Sequence, residues 1–303
     1  MSFNASRRAW RTPVAATLAL AALALAAGPA LAADPLAPGE HTFDVGGVEL
    51  RYVVAGQGQP VLLLHGFTAS VETNWRTPGV FDALAERFLV IALDQRGHGK
   101  SGKPHEPSAY GAEMVHDVIR LLDHVGLPKA HVVGYSMGGF ITLELAAAAP
   151  ERLLSAVLGG AGWRPPTGPD PMMEELAASL ERGEGIGPLL DALTPAGQTM
   201  SAEQKAFANQ RVLADNDPAA LAAVVRGMGS LGVPESALNA IEIPILAVVG
   251  SLDPLAAGVD ALSERLPRVV VERIEGADHL TAVASPLLRE SILEFLLRLC
   301  NCA

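Results

Sequence analysis

Cysteine is nearly absent from this chain: there are only two, Cys300 and Cys302, both at the C-terminal end. Two residues apart, they are poorly placed to bridge each other without strain. No third thiol exists to build a zinc site with them. They cannot staple the fold, so it must rest on buried apolar surface, and no catalytic role falls to them. Aromatic residues make up only 5% of the 303 positions, while alanine is abundant, which favours plentiful helices. Clustered Lys and Arg are missing after the N-terminus, and the formal net charge is −11. That balance argues against nucleic-acid binding, because phosphate requires a basic patch. No internal repeat or low-complexity tract appears beyond the first 33 residues.

A long membrane-spanning run is lacking too. The strongest candidate, Val14 to Ala27, holds about 14 residues where a bilayer needs about 20. Arg7, Arg8 and Arg11 precede it, Gly28 and Pro29 break it, and Ala30-Leu31-Ala32 offers small residues for cleavage. Residues 1–32 therefore read as a signal peptide removed from an exported protein, periplasmic or secreted, with no stable membrane insertion afterwards. Ser6-Arg7-Arg8 faintly resembles a twin-arginine signal, and the choice of export route stays open.

What remains is 50% hydrophobic and 18% charged over the whole chain, enough for a substantial core. His41–Val45 and Glu49–Ala55 form a predicted hairpin around Gly46-Gly47. Val61–Leu64 and Phe88–Leu93 are continuous apolar runs, as expected of strands buried on both faces. The pattern predicts helices over 78–87, 109–125 and 140–149, with further strands at His131–Gly134, Ser155–Gly159, Ile245–Gly250 and Val269–Ile274. Pro286 to Leu299 closes the chain as an amphipathic helix. Such alternation implies an α/β architecture with parallel strands, and functional groups at the carboxyl ends of the strands. Between Trp163 and Asn239 the rhythm stops. A proline-rich stretch, 164–171, is followed only by helical pieces, near 171–182, 186–193, 201–214 and 218–228. The chain thus divides into a core of residues 33–162 and 240–303 and an inserted helical cap of residues 163–239.

The chemistry concentrates in Gly134-Tyr135-Ser136-Met137-Gly138-Gly139. A strand ends in a serine fenced by glycines and a helix follows, which strains the apex and exposes its hydroxyl. A serine hydroxyl needs a base, and the base needs an orienting carboxylate. Of the eight histidines, His279 follows the last strand and opens on the same sheet edge as Ser136. Asp253 follows the preceding strand, and gives the chain order Ser136, Asp253, His279. Asp278 is the runner-up, while Asp94, His65 and His98 read better as braces of tight loops. Two backbone N–H groups must meet the charge that develops on the carbonyl oxygen: Met137, just after the serine, and Phe67, in the loop after Val61–Leu64.

These residues, with Leu64-His65-Gly66-Phe67, Asp94-Gln95-Arg96-Gly97-His98-Gly99-Lys100-Ser101, Gly250-Ser251-Leu252-Asp253 and Gly276-Ala277-Asp278-His279, resemble the α/β-hydrolase superfamily in its capped, esterase-like branch. The resemblance spans about residues 40–298. It implies a mostly parallel eight-stranded sheet flanked by helices, with Ser136 as nucleophile, Asp253 as acid, His279 as base and Phe67 and Met137 as oxyanion donors. It implies no cofactor and no metal. The expected reaction is cleavage of a small or medium carboxylic ester through an acyl-enzyme. Carbon–carbon hydrolysis or cofactor-free peracid formation on the same residues is the alternative, and a non-catalytic ligand-binding protein the reading of another class. Trp163, Met172, Met173, Met200, Phe207 and Met228 could wall an apolar pocket, although at least half are expected only to pack the cap onto the core. The natural substrate and oligomeric state stay open.

Overall fold

The computed structural model describes residues 1–2, 34–166 and 170–300. The chain separates into two units, Met1–Asp34 and Pro35–Ala303. Residues 3–33, and with them most of the expected signal peptide, lie outside the described residues.

The second unit opens with the hairpin of β1 (Gly39–Val45) and β2 (Val48–Ala55). Gly46 and Gly47 turn it at φ 61° and 91°, the two positive angles that a two-residue turn between twisted strands demands. β3 (Pro60–Leu64) follows, then a π-helical turn at Glu72–Arg76 and α1 (Val80–Ala85). The expected helix over 78–87 is therefore shorter, because Gly79 adopts φ 77° and forces a fresh start. Next come β4 (Leu89–Leu93), α2 (Ala112–His124), β5 (Ala130–Tyr135), α3 (Met137–Ala148) and β6 (Leu153–Gly159). α3 starts three residues before the expected 140, since Ser136 makes the whole turn and leaves both glycines free to be helical.

Four helices of the inserted segment follow: α4 (Pro171–Glu181), α5 (Gly187–Leu193), α6 (Ala202–Asp215) and α7 (Pro218–Met228). Asp170, Ser201 and Asp217 cap three of them with their side chains, which is why these helices start where they do. A short α8 (Glu235–Asn239) leads back to β7 (Ile245–Gly250), α9 (Ala256–Arg265), β8 (Val270–Ile274), a single turn α10 (His279–Ala282) and α11 (Pro286–Cys300).

The eight strands make one sheet in the order β1-β2-β4-β3-β5-β6-β7-β8. Only the β1–β2 and β2–β4 pairs are antiparallel. Side chains alternate across it. Leu62, Leu64, Ile91 and Val132 join α2, α3 and α9 on one face, whereas Leu63, Val90, Ala92 and Val133 join α1 and α11 on the other. Each fully buried Leu, Ile or Val contributes about 1.5–3 kcal/mol by leaving water, so this two-sided period holds the register. In the inserted segment, Leu176, Leu180, Leu190, Leu221 and Val225 form a third cluster. α7 joins it to the sheet, because its Val224 packs with the sheet-face core while its Leu221 packs with the cap.

Candidate active site

β5 ends at Tyr135 and α3 begins at Met137, so Ser136 alone reverses the chain. Its backbone sits at φ 51°, ψ −114°, a conformation that costs a non-glycine residue of order 1–3 kcal/mol. Close packing explains the flanking glycines. A Cβ on Gly134 would stand 2.1 Å from the Gly138 carbonyl oxygen, and one on Gly138 would stand 2.1 Å from that of Leu64. Strand, helix and the neighbouring β3 thus touch through bare backbone, and the serine hydroxyl is pushed outward. Thr68, at φ 61°, is the other non-glycine residue with positive φ among the described residues, and it lines the same cavity as Ser136.

His279 and Asp253 meet that hydroxyl from two other strand ends. The His279 Nε2 lies 2.9 Å from Ser136 Oγ, and its Nδ1 lies 2.8 Å from Asp253 Oδ2. A buried carboxylate can only accept, so Nδ1 carries the proton and Nε2 is left to accept from the hydroxyl. The second carboxylate oxygen, Oδ1, accepts the Leu255 N–H at 2.8 Å, which fixes its plane. Only 3% of Asp253 and 4% of His279 is exposed, so water does not screen the pair. Tyr135 holds the base from behind: its hydroxyl donates to the His279 carbonyl at 2.5 Å. Burial raises the Tyr135 pKa far above its ordinary value, so that donor keeps its proton.

Asp278, the runner-up carboxylate, turns into its own helix and accepts from the Leu280 and Thr281 N–H groups at 3.0 and 2.8 Å. Asp94 accepts from Val71 N–H, Lys100 N–H and Arg51 Nη1, between 2.8 and 3.1 Å, and braces the loops around it. His65 sits with Nδ1 on the Gly66 carbonyl at 2.8 Å, while its Nε2 accepts the Gln95 N–H at 3.0 Å. His98 places Nδ1 3.1 Å from the Arg96 carbonyl, and burial pushes its pKa down to about 3. Both are loop braces rather than partners of Ser136.

The loop after β3 comes up against the serine: a Cβ on Gly66 would lie 3.4 Å from the Ser136 Cβ. Asn74 secures this loop by accepting the Gly66 N–H at 2.9 Å, while its own buried Nδ2 has no partner among the described residues. The Phe67 N–H, next along, has no acceptor among the described residues. Neither does the Met137 N–H, which as the first helical donor has no intrahelical partner. Sequence reasoning passed over Asn74 and Tyr135. The Asn74-Trp75 pair follows a glycine-bearing loop, but no spacing rule singles it out.

Above Ser136 opens a cavity of about 650 Å³, walled by the core on one side and α4, α5 and α7 on the other. Trp163, Met172, Met173 and Met228 line it, which corrects the expectation that at least half of the six large apolar cap residues only pack. Met200 does pack inside the cap, and Phe207 is 65% exposed. The reason is that the cap core abuts the cavity, so that Leu176 of α4 and Val225 of α7 belong to the cap cluster and line the cavity as well. Among the described residues no helix is long and apolar enough to cross a membrane.

A family model described as the alpha/beta hydrolase fold matches residues 59–219. The chain belongs to the α/β-hydrolase family. It is 32% identical over 224 residues to the 2-hydroxy-6-oxo-6-(2'-aminophenyl)hexa-2,4-dienoic acid hydrolase of Metapseudomonas resinovorans, covering 71% of this chain and 74% of that one. It is 28% identical to 3-oxoadipate enol-lactonase 2 of Acinetobacter baylyi, covering 82% of this chain and 92% of the enzyme. Among solved structures, a bacterial membrane phospholipase A superposes with a TM-score of 0.67 at 26% identity, covering 88% of each chain. The chain spans only 30% and 43% of the length of two further curated relatives that it matches.

Proposed function

We propose that this protein cleaves a small or medium carboxylic ester through an acyl-enzyme formed on Ser136. The observation that carries the reading is the hydrogen-bonded line from Ser136 Oγ through both nitrogens of His279 to Asp253, at 2.9 and 2.8 Å. In this scheme His279 Nε2 takes the hydroxyl proton as Ser136 Oγ attacks the carbonyl carbon. The oxyanion then sits before the N–H groups of Phe67 and Met137, at the positive end of α3. His279 returns the proton to the departing alcohol. Water enters, His279 deprotonates it, and hydrolysis of the acyl-enzyme frees the acid and Ser136. No cofactor or metal takes part in these steps.

Similarity to an enol-lactonase, an enzyme named for a cyclic ester, supports ester cleavage. Carbon–carbon hydrolysis of a diketone on the same residues is the second reading, favoured by the 32% identity to the dienoic acid hydrolase. Turnover of p-nitrophenyl butyrate beside a diketone tests both. Ester turnover that Ser136→Ala lowers by at least ~10³-fold supports the first; unchanged turnover in that variant overturns it. Export is proposed with it, on the basic front and apolar run of residues 1–32. N-terminal sequencing of the protein from a periplasmic or culture fraction should begin at Ala33.

A further inference from the structure

The cavity over Ser136 is walled almost entirely by apolar side chains, yet Arg164 also lines it. It is the only lysine or arginine among the lining residues. Its guanidinium stacks on the Phe140 ring, 4.7 Å from the centroid. Phe140 belongs to the first turn of α3, where its N–H reaches the Ser136 carbonyl at 3.0 Å. Phe140 thus stands about one helical turn from the serine, and the Arg164 guanidinium lies beyond its ring on the wall of the same cavity.

This guanidinium has five N–H donors and no hydrogen-bonded or ion-paired acceptor among the described residues. The two carboxylates that act on it through space each accept a backbone N–H instead. Glu144 accepts the Gly232 N–H at 3.2 Å, and Asp170 caps α4 by accepting the Met172 N–H at 2.9 Å. Arg164 is only partly exposed, and burial pulls its pKa below the ordinary guanidinium value, while Asp170 and Glu144 act in the opposite sense. A half-buried cation without a partner is costly, and among the described residues the two fully buried arginines are paired: Arg51 with Asp94 and Arg96 with Asp117. The protein also carries a formal net charge of −11, so its overall field repels anions and only a local cation can hold one.

We infer that Arg164 is a substrate-binding residue that receives a carboxylate, so that the protein favours esters carrying a free carboxylate at the far end of an apolar chain, such as the monoesters of dicarboxylic acids. The inference rests on the ester hydrolase reading for its chemistry, but the binding site stands independently. The carboxylate would take bidentate N–H···O bonds from Arg164, with the apolar chain against Met172, Met173 and Leu176 and the ester at Ser136.

The test compares p-nitrophenyl butyrate with mono-p-nitrophenyl glutarate and adipate on the wild type, Arg164→Gln and Arg164→Lys. Arg164→Gln should raise KM for the anionic esters on the order of tenfold or more while kcat and the neutral ester change less than about twofold. Arg164→Lys should recover part of the loss, since it keeps the charge and loses the fork. Equal losses on neutral and anionic esters would show that Arg164 merely props Phe140, and would overturn the inference. Calorimetric titration of monomethyl adipate and methyl hexanoate into Ser136→Ala, with and without Arg164→Gln, separates the two failures. If no ester is turned over yet monomethyl adipate binds through Arg164, the reaction is misassigned and the anion site stands. If the two ligands bind alike, the anion site is wrong whatever the reaction.

Discussion

Asp253 Oδ2 accepts the Nδ1–H of His279 at 2.8 Å, across 26 residues of chain, while Asp253 Oδ1 is tied to the Leu255 N–H. The carboxylate thus selects the tautomer of the imidazole as well as its orientation. An amide at 253 can donate to Nδ1 through its NH₂, which stabilises the opposite tautomer and places the ring proton against Ser136. Asp253→Asn should therefore lower kcat by about 10²–10⁴-fold with little change in KM. Steady-state kinetics on a chromogenic ester reads it, and an unaltered kcat would detach Asp253 from the chemistry.

Gly138→Ala tests the turn itself. The added Cβ would meet the Leu64 carbonyl at 2.1 Å and that of His65 at 2.8 Å, both backbone atoms of a buried strand end. Either α3 or β3 must move, which costs about 3 kcal/mol and separates Ser136 from Phe67. A melting temperature lower by about 5–10 °C, with activity reduced even in the folded fraction, is expected. Thermal melts followed by circular dichroism check it.

Arg96 and Asp117 form a buried pair, Nε and Nη2 each 2.5 Å from a carboxylate oxygen. Arg96→Met strands a buried carboxylate, and Arg120, 3.4 Å from Asp117 on its exposed side, compensates only in part. The loss should be about 3 kcal/mol, measured by urea unfolding. Arg96→Met with Asp117→Leu should restore most of it.

Acid should destabilise the protein before its carboxylates titrate. Burial holds His98 at about 3, and lowers His65 as well. A histidine whose folded pKa lies below its unfolded value of about 6.5 stabilises the native state fully above that value. The contribution is then lost as pH falls from about 6.5 toward 3. In that window His98 alone tilts stability by up to ~1.4 kcal/mol per pH unit. Urea unfolding at pH 7, 6 and 5 should show the decline, and His98→Asn should flatten it.

Much of this was readable along the chain because period and punctuation are local. Continuous apolar runs marked Leu62–Leu64 and Ile91–Leu93 as strands buried on both faces, and Gly46-Gly47 marked the hairpin. Gly79 escaped, since a glycine in a helical pattern is read as tolerated until its φ is known. The glycines of 134–139 likewise suggested a longer turn than exists, because only coordinates reveal that one strained serine makes it.

Local chemistry alone determined which residues could act: a serine fenced by glycines at the end of an apolar strand has few other uses. Chain order already ranked Asp253 above Asp278; the tertiary structure supplied the reason, since the one beside His279 in sequence is spent capping its own helix. Tertiary structure alone decided the wall of the cavity and the stacking of Arg164 on Phe140, two residues far apart in the chain. Backbone preferences act between neighbours, whereas a site is made where distant segments are forced together by the burial of the surfaces between them.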